Sequence, residues 1–266
     1  MDRRDSTLPL LSVRGLTKSY WRRRWIGGGA EVRAVRGIDL DLCGGRTIAV
    51  VGASGGGKST LARCIAGLDK PTSGDVVLCG KRIVNPAVAR RHIQLIFQDP
   101  GASLNPRFSV AEALQEPLAI RRERGSRIAE RLQQVGLPES LADQGTSRLS
   151  GGQKARLALA RALVALDAAS PAVLILDESL ASLDLSVQAQ MINLLVDVQE
   201  KFGLAYMLIA HDLRLAAHMA DEVAVMFEGQ IVERGVPHVL ITAPKHSHTA
   251  YLLAARAALD ETRCDA

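Results

Sequence analysis

The spacing of apolar and polar positions changes character several times along the chain, and each change predicts an element. Residues 10–20, LLSVRGLTKSY, alternate in their first half as a half-buried strand does. AVRGIDLDL reads as a second strand and ends in a turn at Gly44 and Gly45. Between them, WRRRWIGGGAEVR reads as an exposed loop, because three arginines followed by Gly27, Gly28 and Gly29 neither pack nor hold a regular conformation cheaply. TIAVVG, from Thr47 to Gly52, is an unbroken apolar run bounded by glycine, the pattern of a strand buried on both faces.

Helical spacing begins at KSTLARCIAGL, with Gly67 placed to close the helix. Short strand patterns flank the turn PTSGD and continue to HIQLIFQ, which ends at Gln98. From Pro100 to near Ser170 the spacing is helical, with RIAERLQQVGL amphipathic, and a helical subdomain is expected there. PAVLILDES and LAYMLIAHD return to buried strands, and SVQAQMINLLVDVQEKF between them predicts a crossover helix joining parallel strands. HSHTAYLLAARAALDETRCDA reads as a helix fraying into a polar tail, and the chain shows neither an internal repeat nor a low-complexity segment.

Composition narrows the class. With 266 residues, 47% of them hydrophobic, a large buried core is available and a disordered or fibrous chain is excluded. Aromatic residues are only 3%, too few for a platform that stacks single-stranded bases, whereas a net charge of +5 suits an anionic partner. Cys43, Cys64, Cys79 and Cys264 show neither CxxC pairing nor metal-ligand spacing and read as reduced thiols. No apolar run approaches the roughly 20 residues of a membrane span, and MDRRDSTLPLLSV lacks a signal peptide's apolar centre, so other chains must provide any membrane anchor.

The first candidate chemistry is GASGGGKST, Gly52 to Thr60, which follows a buried strand and opens a helix. This is the G-x-x-x-x-G-K-[ST] phosphate loop. Gly52, Ser54, Gly55 and Gly57 let backbone N–H groups approach phosphate oxygens, and the helix N-terminus adds positive potential. Lys58 is placed to reach β- and γ-phosphates, Ser59 to ligate Mg²⁺ and Thr60 to contact the α-phosphate. Asp177 and Glu178 close the strand pattern LILDE; such an aspartate holds the Mg²⁺ shell, and an adjacent glutamate polarises the attacking water. Gln98 in FQDP, Asp184 in SLD and His211 in IAHD are individually weak signals, compatible with ordinary loop positions.

Their order is more informative. GASGGGKST, FQD, LSGGQ, LILDE, SLD and IAHD, in sequence, resemble the nucleotide-binding subunits of ATP-binding-cassette (ABC) transporters over residues 10–245. The resemblance implies an α/β P-loop fold: a RecA-like mixed sheet, an N-terminal antiparallel β subdomain and an inserted helical subdomain. The cassette is expected over 8–250, with 99–170 as the helical part and 251–266 as a terminal helix and tail.

The resemblance also implies ATP hydrolysis with Mg²⁺ held by Ser59, Asp177 and Gln98, partly through water. Glu178, His211 and Gln98 take catalytic positions, Tyr20 stacks on adenine, and Asp184 couples two sites across a dimer. A core tyrosine at a strand end is the alternative reading for Tyr20. In the family two cassettes pair head to tail, so that Ser150, Gly151, Gly152 and Gln153 of one cover the γ-phosphate held by Lys58 of the other. A helix N-terminus contributes about 0.3–2 kcal/mol to a nearby anion, too little to order a dimer without the opposite wall of the site.

FQDPGASLNPR, DESLASLDLSVQAQ and PKHSHTAYLLAA resemble the branch that imports peptides and nickel. That implies a second cassette, identical or a sister chain, two membrane permease subunits, an extracytoplasmic binding protein and a peripheral position on the cytoplasmic face of the inner membrane. Ser179 departs from the family's usual proline or alanine, and Ala181-Ser182 transposes its serine and alanine. Two other classes stand beside import. One is a cytosolic component of a carbon-phosphorus lyase-like complex; the other, a DNA-associated ATPase, is opposed by the absence of any heptad run, and no nucleic-acid partner is expected. WRRRW, Trp21 to Trp25, and RRERGSR, Arg121 to Arg127, read as a solvated loop and a solvated helical face, with contact to anionic lipid as the alternative.

Overall fold

The computed structural model describes residues 8–23, 29–120, 122, 128–166, 171–179 and 183–264. Arg24, Trp25, Arg121, Glu123 to Arg127, Ala181 and Ser182 lie outside the described residues.

Two sheets form the framework. The first is antiparallel, in the order β2 (Gly29–Leu42), β1 (Leu11–Arg23), β4 (Ser73–Leu78), β5 (Lys81–Arg82). The expected loop after Tyr20 is corrected here: β1 continues through Trp21 to Arg23 and pairs with β2 from Gly29 onward. Glycine and arginine are poor strand formers alone, but cross-strand pairing such as Tyr20 with Val32 and Trp21 with Glu31 overrides local propensity.

The second sheet runs β10 (Gln230–Gly235), β9 (Glu222–Phe227), β3 (Thr47–Val51), β8 (Ala205–Ala210), β7 (Val173–Asp177), β6 (Ile93–Ile96). All its pairs are parallel except β9 with β10. Successive residues of its inner strands face opposite sides. Ile48, Val50, Val173, Ile175, Met207 and Ile209 join the antiparallel sheet and α1 (Lys58–Ile65) in one core. Ala49, Val51, Leu174, Leu176, Leu208 and Ala210 join the helices in the other. Both faces are therefore covered, which is why these strands read as continuous apolar runs.

The second core contains α3 (Val110–Ile120), α4 (Ile128–Gln134), α5 (Gly151–Ala165) and α6 (Leu185–Phe202). α6 is the crossover between β7 and β8 expected from its spacing, closed by Gly203 at φ 65°. Tyr206 lies beneath it, fully buried, with its hydroxyl donating to Leu195 O at 2.8 Å. α2 (Pro86–His92), which the sequence reading does not predict, precedes β6, capped by Asn85 with Pro86 in its first turn. α7 (Leu213–Ala217), α8 (Pro237–Thr242) and α9 (Ser247–Cys264) complete the order. Among the described residues no helix is long and apolar enough to cross a membrane.

Candidate active site

Parallel strands end on the same side of a sheet, and in open α/β sheets that carboxyl edge is where ligands bind. β3, β8, β7 and β6 are mutually parallel and in register at Val51 with Ala210, Asp177 with Ile209 and Ile96 with Leu176. The residues leaving that edge are Gly52, His211, Glu178 and, two positions after β6, Gln98. The topology thus gathers four stretches spread over more than half the chain.

After β3 the chain makes a glycine-rich turn before α1. A Cβ on Gly52 would stand 2.1 Å from Met226 O, and one on Gly57 would stand 2.1 Å from Ala34 O, so neither position admits a side chain. Gly57 also holds φ 97° as the residue before α1, and α1 receives no side-chain cap. The first turn of α1 leaves its N–H groups directed at the loop, an arrangement suited to an anion.

Lys58 is 4% exposed, with Nζ donating to Gly52 O at 2.8 Å and Ala53 O at 3.0 Å. Its ammonium also lies 3.7 Å from Glu178 Oε1. Burial pulls the Lys58 pKa below its ordinary value, and the charges of Glu178 and Asp177 oppose that pull. Ser59 Oγ donates to Asp177 Oδ1 at 3.0 Å. Burial pushes the Asp177 carboxyl upward; the Ser59 hydrogen bond opposes the change, and the neighbouring charge of Glu178 adds to it. A half-buried hydroxyl beside a buried carboxylate offers hard oxygen ligands of the kind Mg²⁺ takes, and a cation there would relieve the repulsion between Asp177 and Glu178. Among the described residues no cluster of three or more His, Cys, Asp or Glu side chains offers an alternative metal centre.

Glu178 is a non-glycine residue with φ 47°, and its N–H donates to Ile209 O at 3.0 Å. That bond extends the β7–β8 pairing one residue beyond the strand, while the left-handed backbone turns the chain away from it. Such conformations cost on the order of 1–3 kcal/mol and persist where surrounding structure imposes them. Buried Ser179 follows.

Lys58, Ser59, Asp177 and Glu178 are joined by direct contacts. Tyr20 stands nearby, with its phenol facing Thr60 and Asp69; its hydroxyl donates to Asp69 Oδ2 at 2.8 Å, and Lys18 Nζ sits 4.9 Å from the ring centroid. Gln98 and His211 lie at the same sheet edge and are solvent-exposed.

Ser150, Gly151, Gly152 and Gln153 occupy a different surface, the start of α5. Ser150 and Gln153 form a reciprocal capping box, with Gln153 N donating to Ser150 Oγ at 3.2 Å and Ser150 N to Gln153 Oε1 at 2.9 Å. Gly151 is exposed, and a Cβ on Gly152 would stand 2.9 Å from Val187 of α6. Asp184 caps α6 beside it, accepting from Val187 N at 2.9 Å and Ser186 Oγ at 2.7 Å; the Val187 N–H, then the Ser186 hydroxyl, hold its carboxyl below the usual range.

Sequence reasoning missed the contact behind the loop. Gly229 N donates to Gly56 O at 3.1 Å, from the hairpin between β9 and β10. The available signal was Glu228-Gly229 between two apolar runs, a two-residue hairpin turn.

The glycine loop, buried lysine and strand-end acid pair on a mostly parallel sheet define a P-loop nucleotide hydrolase. Residues 35–181 match the family model described as ABC transporter. The chain belongs to the ABC transporter family, and its chemistry is ATP hydrolysis. It is 44% identical, over 85% of its length and 70% of the relative's, to a putative peptide import ATP-binding protein of Brucella abortus (strain 2308). It is 40% identical to the di/tripeptide transport ATP-binding protein DppF of Pseudomonas aeruginosa (strain UCBPP-PA14), over 94% of this chain and 80% of that one. Among solved structures, it is similar to the ATP-binding cassette MJ0796 in a dimeric post-hydrolysis state bound to ADP and Pi. The TM-score is 0.72 at 26% identity, covering 85% of this chain and 98% of that one. The expected fold class holds.

Proposed function

We propose that this chain energises the import of peptides, or of nickel and similar metal complexes, by hydrolysing ATP in a head-to-tail pair of cassettes. The single observation that carries the catalytic reading is the cluster of Lys58, Ser59, Asp177 and Glu178 at the carboxyl edge of the sheet. The cassette takes residues 8–250, with 99–170 as its helical subdomain and 251–266 as an appended helix and tail.

In this reading the loop from Gly52 to Gly57, with Ser54 and Gly55 exposed at its mouth, offers backbone N–H groups to the phosphates. Lys58 compensates β- and γ-phosphate charge, Thr60 meets the α-phosphate, and Tyr20 supports the base. Ser59, Asp177 and Gln98 would hold Mg²⁺, which when bound would offset the negative charge developing on the phosphates. Glu178 takes a proton from the attacking water, and His211 keeps water and glutamate aligned. Ser150, Gly151, Gly152 and Gln153 close on the nucleotide from the partner cassette, with Asp184 linking the two sites.

One kind of observation supports import. The relatives above are named for peptide transport. In this reading translocation is carried by two separate permease subunits served by an extracytoplasmic binding protein, with this chain peripheral on the cytoplasmic face of the inner membrane. Whether the second cassette is identical or a sister chain follows from which neighbours co-purify. The carbon-phosphorus lyase alternative gains no support from these relatives. The test is to purify the chain with its genomic neighbours and measure phosphate release against candidate peptides and nickel complexes. Stimulation by a peptide or a complex supports import; stimulation by neither, in an assembled complex, overturns it.

A further inference from the structure

We infer that Gly229, at the tip of the β9–β10 hairpin, is a positioning residue for the phosphate loop and acts through Gly56. The inference rests on the nucleotide-binding reading above. Glu228 and Gly229 alone join the two strands, with φ of 46° and 82°, the two left-handed residues of a primed hairpin turn. Hairpin tips ordinarily lie in solvent, yet Gly229 is buried. Its N–H donates to Gly56 O at 3.1 Å, and its own carbonyl accepts from Arg36 N at 2.8 Å. One residue therefore ties the phosphate loop to β2 of the other sheet.

The consequence follows from peptide geometry. Gly56 C=O and Gly57 N–H belong to one planar trans unit and point in opposite directions. Holding the Gly56 carbonyl against the hairpin therefore aims the Gly57 N–H the other way, toward the mouth of the loop. Packing enforces the same orientation. Ala34 O would lie 2.1 Å from a Cβ on Gly57 and 2.9 Å from one on Gly229, while Met226 O closes on Gly52. Backbone carbonyls of β2 and β9 form a rigid wall behind the loop, and its donors are left facing forward. A loop whose amides are aimed before the anion arrives loses less freedom on binding.

Gly229→Ala tests this, because a Cβ there meets both the positive φ and the Ala34 carbonyl. The probe is ADP with Mg²⁺ added to the full chain, read by ADP affinity and by the ¹H–¹⁵N signal of Gly57. In the wild type, ADP shifts the Gly57 amide downfield as it donates to phosphate. In Gly229→Ala, with circular dichroism and thermal midpoint showing a folded chain, ADP affinity falls about tenfold or more and that shift is lost. A folded variant with affinity within about twofold and an unchanged Gly57 shift overturns the inference while leaving the nucleotide reading intact. No shift in the wild type overturns both. If the variant does not fold, amide exchange in the wild type decides: Gly229 gaining protection with ADP in parallel with Gly57 supports the inference, and unchanged protection overturns it.

Discussion

Lys58 Nζ and Glu178 Oε1 stand 3.7 Å apart, joining the first residue of α1 to the first residue beyond β7. The contact brings the proposed phosphate-binding cation and the proposed base together. Glu178→Gln keeps the shape and removes the base. Phosphate release is expected to fall about 10²–10³-fold while ATP affinity is retained. Near-normal turnover by the purified variant removes Glu178 from its role.

Asp177→Asn addresses the metal. The Ser59 hydroxyl loses its charged acceptor, and the Mg²⁺-dependent part of nucleotide affinity is expected to weaken about 10–100-fold. Affinity measured in EDTA is expected to change little. Equal losses with and without Mg²⁺ contradict the assignment.

Ser150 has two separable jobs. Ser150→Ala breaks the capping box, costing about 1 kcal/mol of stability by denaturant unfolding. It also removes one proposed contact with a partner's nucleotide. In a Glu178→Gln background with ATP, sedimentation is expected to show a dimer in the parent and about tenfold weaker association in the double variant. An ATP-loaded parent that stays monomeric, alone and with its sister cassette, ends the head-to-tail reading.

Glu233 provides a pH signature. Its carboxylate accepts from Lys245 N at 2.8 Å, from His246 N at 3.0 Å and from the Thr249 hydroxyl, fastening the start of α9 to β10. Burial alone would raise its pKa, but the Thr249, Lys245 and His246 hydrogen bonds outweigh it and the net shift is downward. A depressed folded value stabilises above the ordinary value of 4.5 and loses that contribution as pH falls through the folded value. Glu233→Gln is expected to lower the thermal midpoint by about 2–4 °C at pH 7, with the difference shrinking as the pH falls below 4.5. A gap constant from pH 7 to pH 3 contradicts this.

The readable parts of the chain were those whose signal is local. Thr47 to Thr60 announces itself because strand, turn and helix each impose their own residue types within one short stretch. α6 and its flanking strands were equally legible, since both faces of the sheet are covered and the apolar runs are unbroken. The extension of β1 to Arg23 was not, because its support comes from β2 and a row of arginines and glycines carries no strand pattern. α2 was missed although Asn85-Pro86 is a cap and first-turn pair; the helix is only seven residues long and buries Ala89 alone. Gly229 could not be assigned to the phosphate loop from spacing, since its partner Gly56 is brought to it only by the pairing of β9 with β3.

The connection from β6 to β7 leaves the sheet at one border and re-enters at the other, because the two strands run the same way. The whole block of α3, α4 and α5 is thus an enlarged crossover, tethered at Ile96 beside the catalytic border and at Val173 on the opposite one. Its two tethers thus lie a strand's length apart, one next to the proposed nucleotide site and the other on the far side of the sheet. A displacement of the helices would therefore act on Gln98 through the first tether and on the strand carrying Asp177 through the second.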